Sequence, residues 1–250
     1  HASKEAGGAR MRYCDTVGYE TPTSIYQRVR TLAEQIKIPI EPHCHNDLGM
    51  AVANSIAAAK GAIDGGVDAY INTSVNGLGE RAGQADLLSC ILALKFARDT
   101  DSYQIGDSIN LKVAARLADY VSNAFGVPIP INQPGVGANA FAHESGIHAD
   151  GALKDHRNYE LYDYELLGLD EEEILKKGRI ITTGEYGGLA GFKHVCQRLG
   201  ITFSDDECAR RVLELVRYTS AHNQLPLTDD ELRLIAKYPE QVSKILTVHP

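Results

Sequence analysis

A strand followed by a helix recurs three times in the first hundred residues, at about 30-residue spacing, and this repeat constrains the fold more than any other feature of the sequence. The predicted strands are 10–16, 38–45 and 69–75, and the predicted helices are 21–36, 49–63 and 84–97. Consecutive strands joined by helices pair in parallel through right-handed crossovers. The sequence therefore predicts an α/β fold, although three parallel strands alone cannot close a barrel.

The strand pattern ends near residue 105. Apolar residues at helical spacing predict a helix over 111–125, and the proline- and glycine-rich stretch 126–137 is typical of an extended linker. Short helices are predicted after it at Asp170–Lys177, Asp205–Tyr218 and Asp229–Tyr238. Thr228 and Glu231 form a capping-box pattern at the start of the last helix. The sequence thus predicts an α/β part joined to a mostly helical C-terminal region.

Composition excludes several classes of protein. Hydrophobic residues make up 44% of the 250 residues and charged residues 23%, which is typical of a globular chain and not of a disordered one. The apolar runs are too short to span a bilayer, so we expect no membrane partner. The formal charge of -8 argues against nucleic acid as a partner. Five widely spaced cysteines without a CxxC pair indicate reduced thiols and a cytoplasmic protein.

Two histidines near the end of the second predicted strand are the first candidate for chemistry. Strand alternation puts His43 and His45 on one face and Cys44 on the other. Two imidazoles so placed can bind a divalent metal, and a pair of hydrogen-bonded histidines at a barrel mouth is the alternative. Since no cysteine lies at ligand spacing, a structural zinc site is not expected.

Polar residues also end the other two predicted strands. Asp15 and Thr16 follow the first, and Asn76 follows the third. Such ends converge on the ligand face of a parallel α/β array, so the three positions favour a site there. Strand-end and cap hydrogen bonding is the alternative for Asp15 and Thr16, and a turn with an ion pair is the alternative for 76–81. The GxG at 77–79 lacks the third glycine of a dinucleotide fingerprint, so it does not predict an NAD site.

The segment FAHESGIHADG at 141–151 holds two histidines and two acids among few apolar residues. Its composition alone predicts a polar loop.

Four motifs together resemble one family. DTVGYETP at 15–22, HCHNDLGMAVAN at 43–54, NGLGERAG at 76–83 and FAHESGIHADGALK at 141–154 are similar to the acyl-CoA-dependent Claisen-condensing enzymes. These are homocitrate synthase, 2-isopropylmalate synthase and their relatives in the DRE-TIM metallolyase superfamily. The resemblance covers about residues 1–170, and NGLGERAG with HESGIH is most similar to homocitrate synthases of the nitrogen-fixation type.

The resemblance implies roles for six residues. His43 and His45 match two metal-ligand histidines, Asn76 the asparagine beside the metal, and Thr16 the threonine that holds the 2-oxo acid carboxylate. In relatives a histidine resembling His148 crosses from the helical region to the partner subunit as the catalytic base, and Tyr159 matches the tyrosine that accompanies it. By the same resemblance the cofactor is a divalent metal (Mg, Mn or Zn), and acetyl-CoA is the co-substrate.

The sequence departs from the family pattern at three places. It has no Asp-Arg-Glu motif, so by resemblance we expect the last three βα units of a TIM barrel without the first five strands, and without the catalytic arginine and metal-ligand aspartate. Residues 185–188 (EYGG) replace a Lys-His-Ser-Gly-like stretch of the relatives. Pro42 removes a backbone donor just before the histidine pair, and we expect a local distortion there.

The resemblance predicts a partial TIM barrel over 1–110, a helix and linker over 111–140 and helical subdomains over 141–250. It implies condensation of acetyl-CoA with a 2-oxo acid, first 2-oxoglutarate to give homocitrate, by a homodimer or with a complementing chain that carries the other barrel strands. The alternatives are a 2-isopropylmalate synthase, a lyase that shares the metal site, and a non-catalytic partner or regulatory barrel remnant. We expect the isolated chain to be inactive.

Overall fold

The computed structural model describes residues 2–100, 103, 105, 109–143, 146–170, 188–223 and 227–246. The chain divides into two compact units, His1–Val136 and Gly137–Pro250. The three-part division at 110 and 140 stays a prediction.

The first unit contains the α/β part. Its elements are α1 (Ala2–Glu5), β1 (Met11–Asp15), α2 (Pro22–Ile36), β2 (Ile40–Cys44), α3 (Ala51–Asp64), α4 (Leu87–Phe96) and α5 (Ala114–Phe125), with 3-10 turns at Val75–Gly77 and Leu111–Val113. The first two predicted strands and the four predicted helices of this unit are confirmed within a few residues. Helix α2 begins where the sequence predicts, because the Thr21 and Ser24 side chains cap each other's backbone amides and Pro22 occupies the first turn.

The sheet places β1 and β2 side by side in parallel, with Met11 opposite Ile40 and Cys14 opposite His43. The third predicted strand, 69–75, is wrong as a continuous element: this segment pairs with β2 through separate parallel bridges, Ile40 to Ala69 and His43 to Asn72. Pro42 explains the interruption. The amides of Tyr70 and Asn72 donate to the carbonyls of Ile40 and Pro42, but Pro42 has no amide to continue the ladder toward the segment.

The core of the first unit lies between the sheet and its helices. Ile25, Val29, Ala33 and Ile36 of α2 pack with Ile40 and Cys44 of β2 and with the alanines of α3. The small side chains of α3 allow a close helix approach: a Cβ at Gly61 would lie 2.5 Å from the Tyr26 carbonyl oxygen. Glycine at position 61 is therefore a packing requirement of the contact between α2 and α3.

The second unit is helical in its described part. Its elements are α6 (Gly146–Lys154), α7 (Leu189–Arg198), α8 (Asp206–Asn223), α9 (Asp229–Lys237) and α10 (Pro239–Leu246), with 3-10 turns at His156–Asn158 and Tyr164–Leu167. Phe192, Val195, Val212 and Val216 form its core with Leu232 and Ile235. Across the described ranges, no helix combines the length and apolar character that a membrane span needs.

Several predictions for the second unit change. The polar loop predicted for 141–151 is wrong, since α6 occupies its second half. The helices at 205–218 and 229–238 are confirmed, and α7 and α10 were not predicted. The helix predicted over Asp170–Lys177 and the EYGG departure lie outside the described residues, apart from Asp170 and Gly188.

Candidate active site

The two strand-end histidines lie together, as the alternation of β2 predicts. The ring centroids of His43 and His45 are 5.0 Å apart and the ring planes are nearly perpendicular, at 89°. Cys44 points to the opposite face and is fully buried in the core. Two imidazoles at this separation and angle can bind one metal ion in adjacent coordination positions.

Hydrogen bonds orient His43. Its Nδ1 lies 2.8 Å from Oδ1 of Asn72, and Nδ2 of Asn72 donates to Oε1 of Glu41 at 2.8 Å. An amide oxygen accepts and never donates, so Nδ1 of His43 carries a proton, and in the neutral form of the ring the lone pair lies on Nε2. Arg12 binds the same Glu41 oxygen at 2.5 Å.

Glu41 sits among positive charges. Burial raises the pKa of its carboxyl group, but hydrogen bonds from Asn72 and Arg12 and the charges of Arg12 and Arg10 outweigh that effect, and the net pKa lies below its ordinary value. Arg10 lies 3.7 Å from Glu41 and over the Tyr70 ring. The face of the sheet that carries the histidines is therefore polar and charged.

His45 is buried, with 8% of its surface exposed, and within the described ranges its Nδ1 has no hydrogen-bond partner. A buried polar atom without a partner is costly unless something binds it. Among the residues that the structure describes, no group of three or more His, Cys, Asp or Glu side chains is placed to hold a metal. The two imidazoles thus fit a divalent cation as two of its ligands, and other donors must complete the shell.

The loops after β1 and β2 are tied together by Arg81. Its guanidinium donates to both carboxylate oxygens of Asp47, at 2.8 and 3.0 Å, and to the carbonyl oxygen of Thr16 at 2.6 Å. The hydrogen bond from Arg81 holds the pKa of Asp47 below its ordinary value. Gly18 makes the approach possible, because its φ is +64° and a Cβ there would lie 2.9 Å from the Asp47 amide nitrogen. The backbone of Thr16, whose side chain is exposed, is thereby held at the end of β1.

The NGLGERAG motif folds as a tight loop beside the end of β2. The Gln84 amide donates to the Gly77 carbonyl, and the Asn46 amide donates to the Gly83 carbonyl. A Cβ at Gly83 would lie 2.0 Å from the Gly77 oxygen, so glycine is required there. The turn with an ion pair, considered from sequence, describes this loop well.

Asn76 and Asp15 make structural hydrogen bonds. Asn76 Nδ2 donates to the Ala118 carbonyl of α5 at 2.9 Å, and Asn76 lines a largely apolar cavity of about 470 Å³ between the sheet and helices α3 to α5. The buried Asp15 carboxylate accepts from the amides of Tyr19 and Glu20, the strand-end role considered from sequence. The structure thus brings His43 and His45 together and directs the Asn76 amide toward α5.

In the second unit, His148 and Tyr159 lie against each other. Their ring centroids are 4.4 Å apart with a tilt of 33°. Gly151, one helical turn after His148, provides the space, since a Cβ there would lie 2.3 Å from Cε2 of Tyr159. His143 Nε2 lies 3.2 Å from Oε1 of Glu160, next to this pair. The residues that sequence reasoning missed are Asn72, Glu41 and Gly151.

Comparison with known proteins places both units in one family. The HMGL-like family profile matches residues 1–121, and the profile described as homocitrate synthase post-HMGL domain-like matches 136–224. The chain is 53% identical to a protein of Dehalococcoides mccartyi (strain CBDB1) named citrate (Re)-synthase, covering 100% of this chain and 60% of the relative. It is 37% identical to 2-isopropylmalate synthase 2 of Caldanaerobacter subterraneus subsp. tengcongensis, covering 92% and 55%.

The chain therefore spans little more than half the length of these relatives. Among solved structures, the carboxyl transferase domain of Rhizobium etli pyruvate carboxylase aligns over 98% of this chain and 49% of that one, at 15% identity and a TM-score of 0.33, which is too low to carry an argument. The family profiles and the named relatives indicate the same family. The chain belongs to the homocitrate synthase and 2-isopropylmalate synthase family of the DRE-TIM metallolyase superfamily.

Proposed function

We propose that this chain forms part of an acyltransferase that condenses acetyl-CoA with a 2-oxo acid. The observation that carries the proposal is the His43 and His45 pair at the end of β2, with one ring fixed by Asn72 and the other presenting a buried nitrogen without a partner in the described part of the chain. Relatives named citrate (Re)-synthase and 2-isopropylmalate synthase support the same reaction class.

His43 and His45 would hold the divalent metal together with oxygen atoms of the substrate and an aspartate from the barrel strands outside these residues. When bound, a divalent cation polarises the 2-oxo group and stabilises the negative charge that develops on its oxygen. Imidazole and oxygen donors suit Mg²⁺, Mn²⁺ or Zn²⁺. His43 can bind through Nε2, because Asn72 occupies Nδ1.

Thr16 and Asn76 would position the 2-oxo acid. The Thr16 side chain is exposed at the end of β1 and can bind the carboxylate, while Arg81 fixes its backbone. For Asn76 to lie beside the metal, its amide must exchange the bond to Ala118 for one to substrate. The Asn76 assignment thus requires a side-chain rearrangement, and that of Thr16 does not.

His148 and Tyr159 would form the acid–base pair. His148 takes a proton from the methyl group of acetyl-CoA, and the adjacent Tyr159 ring, at 4.4 Å between centroids, orients it. The resulting nucleophilic carbon forms a bond to the ketone carbon of the 2-oxo acid, whose oxygen then gains a proton. Water cleaves the thioester to release CoA and the free acid.

The first choice of 2-oxo acid is a dicarboxylate. Citrate is the product when an acetyl group adds to oxaloacetate, and homocitrate is the product from 2-oxoglutarate, which is one methylene longer. The 53% identity to a citrate (Re)-synthase favours oxaloacetate. The sequence motifs favour 2-oxoglutarate, and a 2-isopropylmalate synthase acting on 2-oxoisovalerate is the third choice.

We further propose that the active protein contains barrel strands from outside these 250 residues, and that it is a cytoplasmic homodimer or a complex with a complementing chain. Among the described residues, β1 pairs with β2 on one side and has no strand on the other, so its outer edge can accept a further strand. All five cysteines are free, which suits the reducing cytoplasm.

A non-catalytic role is the second candidate. It is favoured by the absence, within the described residues, of a third acidic or thiol ligand near the histidine pair. The test reconstitutes the chain with a polypeptide carrying the other barrel strands and measures CoA release from acetyl-CoA with oxaloacetate, 2-oxoglutarate and 2-oxoisovalerate in turn. Release that needs one 2-oxo acid and a divalent cation supports the acyltransferase. Binding of the two polypeptides without CoA release from any substrate supports the non-catalytic role.

A further inference from the structure

The structure points to a positioning role for Asn72, which the family motifs do not include. We propose that Asn72, held by Glu41, sets the tautomer and ring orientation of His43 so that Nε2 is the nitrogen that faces the metal. This inference rests on the proposed metal-binding role of His43 and His45, and it concerns residues that line the same face of the sheet.

Backbone pairing puts the three residues in register. Glu41 and His43 alternate along β2 onto one face, and Asn72 is bridged to His43 in the parallel neighbouring segment. The backbone N–H of Asn72 donates to the carbonyl oxygen of Pro42, and this bond anchors the Asn72 backbone beside Glu41 and His43. Side chains at such paired positions lie within direct contact distance.

The direction of the hydrogen bonds follows from the donors and acceptors. A carboxylate has no proton to donate, so Glu41 must accept from Nδ2 of Asn72, as it does at 2.8 Å. This leaves Oδ1 facing the histidine ring, where it can accept a proton from Nδ1 and cannot donate one. Arg12, at 2.5 Å, and Arg10, at 3.7 Å, neutralise Glu41 and hold it in place.

The hydrogen bonds from Glu41 through Asn72 to His43 form a relay, and this relay has a chemical consequence beyond packing. If Asn72 were inverted, its Nδ2 would donate to Nδ1 of His43, the ring proton would move to Nε2, and Nε2 could no longer bind a cation. An outer residue that fixes the tautomer of a ligating histidine usually contributes 10- to 100-fold to metal affinity. His45 lacks such a partner within the described ranges, since its Nδ1 makes no hydrogen bond there.

The test uses the full 250-residue chain and two readouts. Nitrogen chemical shifts of the histidine rings report the His43 tautomer without metal, and titration with Mn²⁺ alone reports a dissociation constant from broadening of the His43 and His45 signals. Asn72→Ala is compared with Thr73→Val, which changes the adjacent position on the opposite face of the segment. Wild type should show the Nδ1–H form, Asn72→Ala a mixture of forms with a dissociation constant about tenfold higher or more, and Thr73→Val no change.

A further variant tests the direction of the relay. Glu41→Gln removes the obligatory acceptor, lets the Asn72 amide invert, and should raise the fraction of the Nε2–H form. Amide spectra like those of wild type establish that each variant is folded.

The outcomes separate this inference from the proposed function. If wild type binds Mn²⁺ at the two histidines and Asn72→Ala changes neither the tautomer nor the affinity, the positioning role is wrong and the metal site stands. If Asn72→Ala changes the tautomer but wild type broadens neither ring signal, the tautomer relay stands and the two histidines alone do not hold the cation.

Discussion

Gly151 leaves the space in which the Tyr159 ring packs against His148. Gly151→Ala should increase the helix propensity of α6 by about 1 kcal/mol, yet its Cβ would overlap the Tyr159 ring. We expect the ring to move away from His148, with loss of nuclear Overhauser contacts between the two rings and no loss of helix signal. Ala152→Gly is the control, since it changes the helix propensity at the next position of α6 without adding an atom near the Tyr159 ring. Retention of the ring contacts in Gly151→Ala would contradict the described packing.

The cysteines provide a second prediction at this scale. Burial raises the pKa of Cys44 to about 11 and the pKa values of Cys90 and Cys196 to about 12. At pH 8 these thiols remain protonated and enclosed, whereas Cys14 is exposed. Iodoacetamide should therefore modify Cys14 well before these three, as mass spectrometry of the folded chain can show. Equal labelling of Cys14 and Cys44 without denaturant would mean that the β2 core is not formed.

For single residues, the sequence predicts well which side chains lie on the same face of a strand. It predicts their hydrogen-bond partners less well. The alternation of HCH is enough to place both imidazoles on one side of β2 and Cys44 in the core. Asn72 is not predictable in the same way, because its contact with His43 depends on the register between two segments 29 residues apart. Register is a tertiary property that local pattern does not determine.

At the scale of elements, Arg81 links three loops that each follow a strand or extended segment. Arg81→Gln should loosen the loops at 16–19 and 46–49, and amide hydrogen exchange there should accelerate. Arg30→Gln removes an ion pair of similar exposure within α2, with Glu34, and should leave those loops unchanged. Unchanged exchange in Arg81→Gln would show that the loops are held by other contacts.

The pH dependence of this link follows from the lowered pKa of Asp47. A carboxyl group whose pKa is lower in the folded than in the unfolded protein stabilises the folded state at pH values above its unfolded-state pKa, which is 3.8 for Asp47. This stabilisation is lost as the pH falls through the folded-state pKa. The difference in thermal unfolding midpoint between wild type and Arg81→Gln should therefore be largest near neutral pH and vanish in strong acid. A difference that grows on acidification would contradict the assignment.

The elements differ in how well the sequence predicts them. Helix α2 has a cap, a proline in its first turn and apolar residues at helical spacing, and it begins at Pro22. Helix α6 has two glycines and a polar composition, which hide its helical period, so the loop prediction failed there. The strand at 69–75 was predicted from its own residues, but its pairing is limited by Pro42 in the neighbouring strand.

At the scale of the molecule, the sheet exposes a charged face. Arg12, Glu41, His43 and Asn72 line the side that carries the histidines, and they bind each other in hydrogen-bonded pairs. Any association of the isolated chain should therefore proceed through the open edge of β1, and a Cys14→Pro variant, which removes an amide from that edge, should reduce it in sedimentation.

The proposed dimer predicts complementation between inactive variants. If the partner subunit donates His148, mixing reconstituted His148→Ala and His43→Ala enzymes should restore up to about one quarter of wild-type activity, because half of the randomly paired dimers are mixed and each has one intact site of two. Subunit exchange is confirmed by mass spectrometry. Recovery no higher than that of the two variants alone would exclude donation between subunits.

The most direct test of the account is CoA release by the reconstituted enzyme with and without the histidine pair. We predict release that requires both a 2-oxo acid and a divalent cation, and that is lost on adding a chelator and in the His43→Ala, His45→Ala double variant. A double variant that keeps full metal content and releases CoA at the wild-type rate would show that His43 and His45 do not hold the metal.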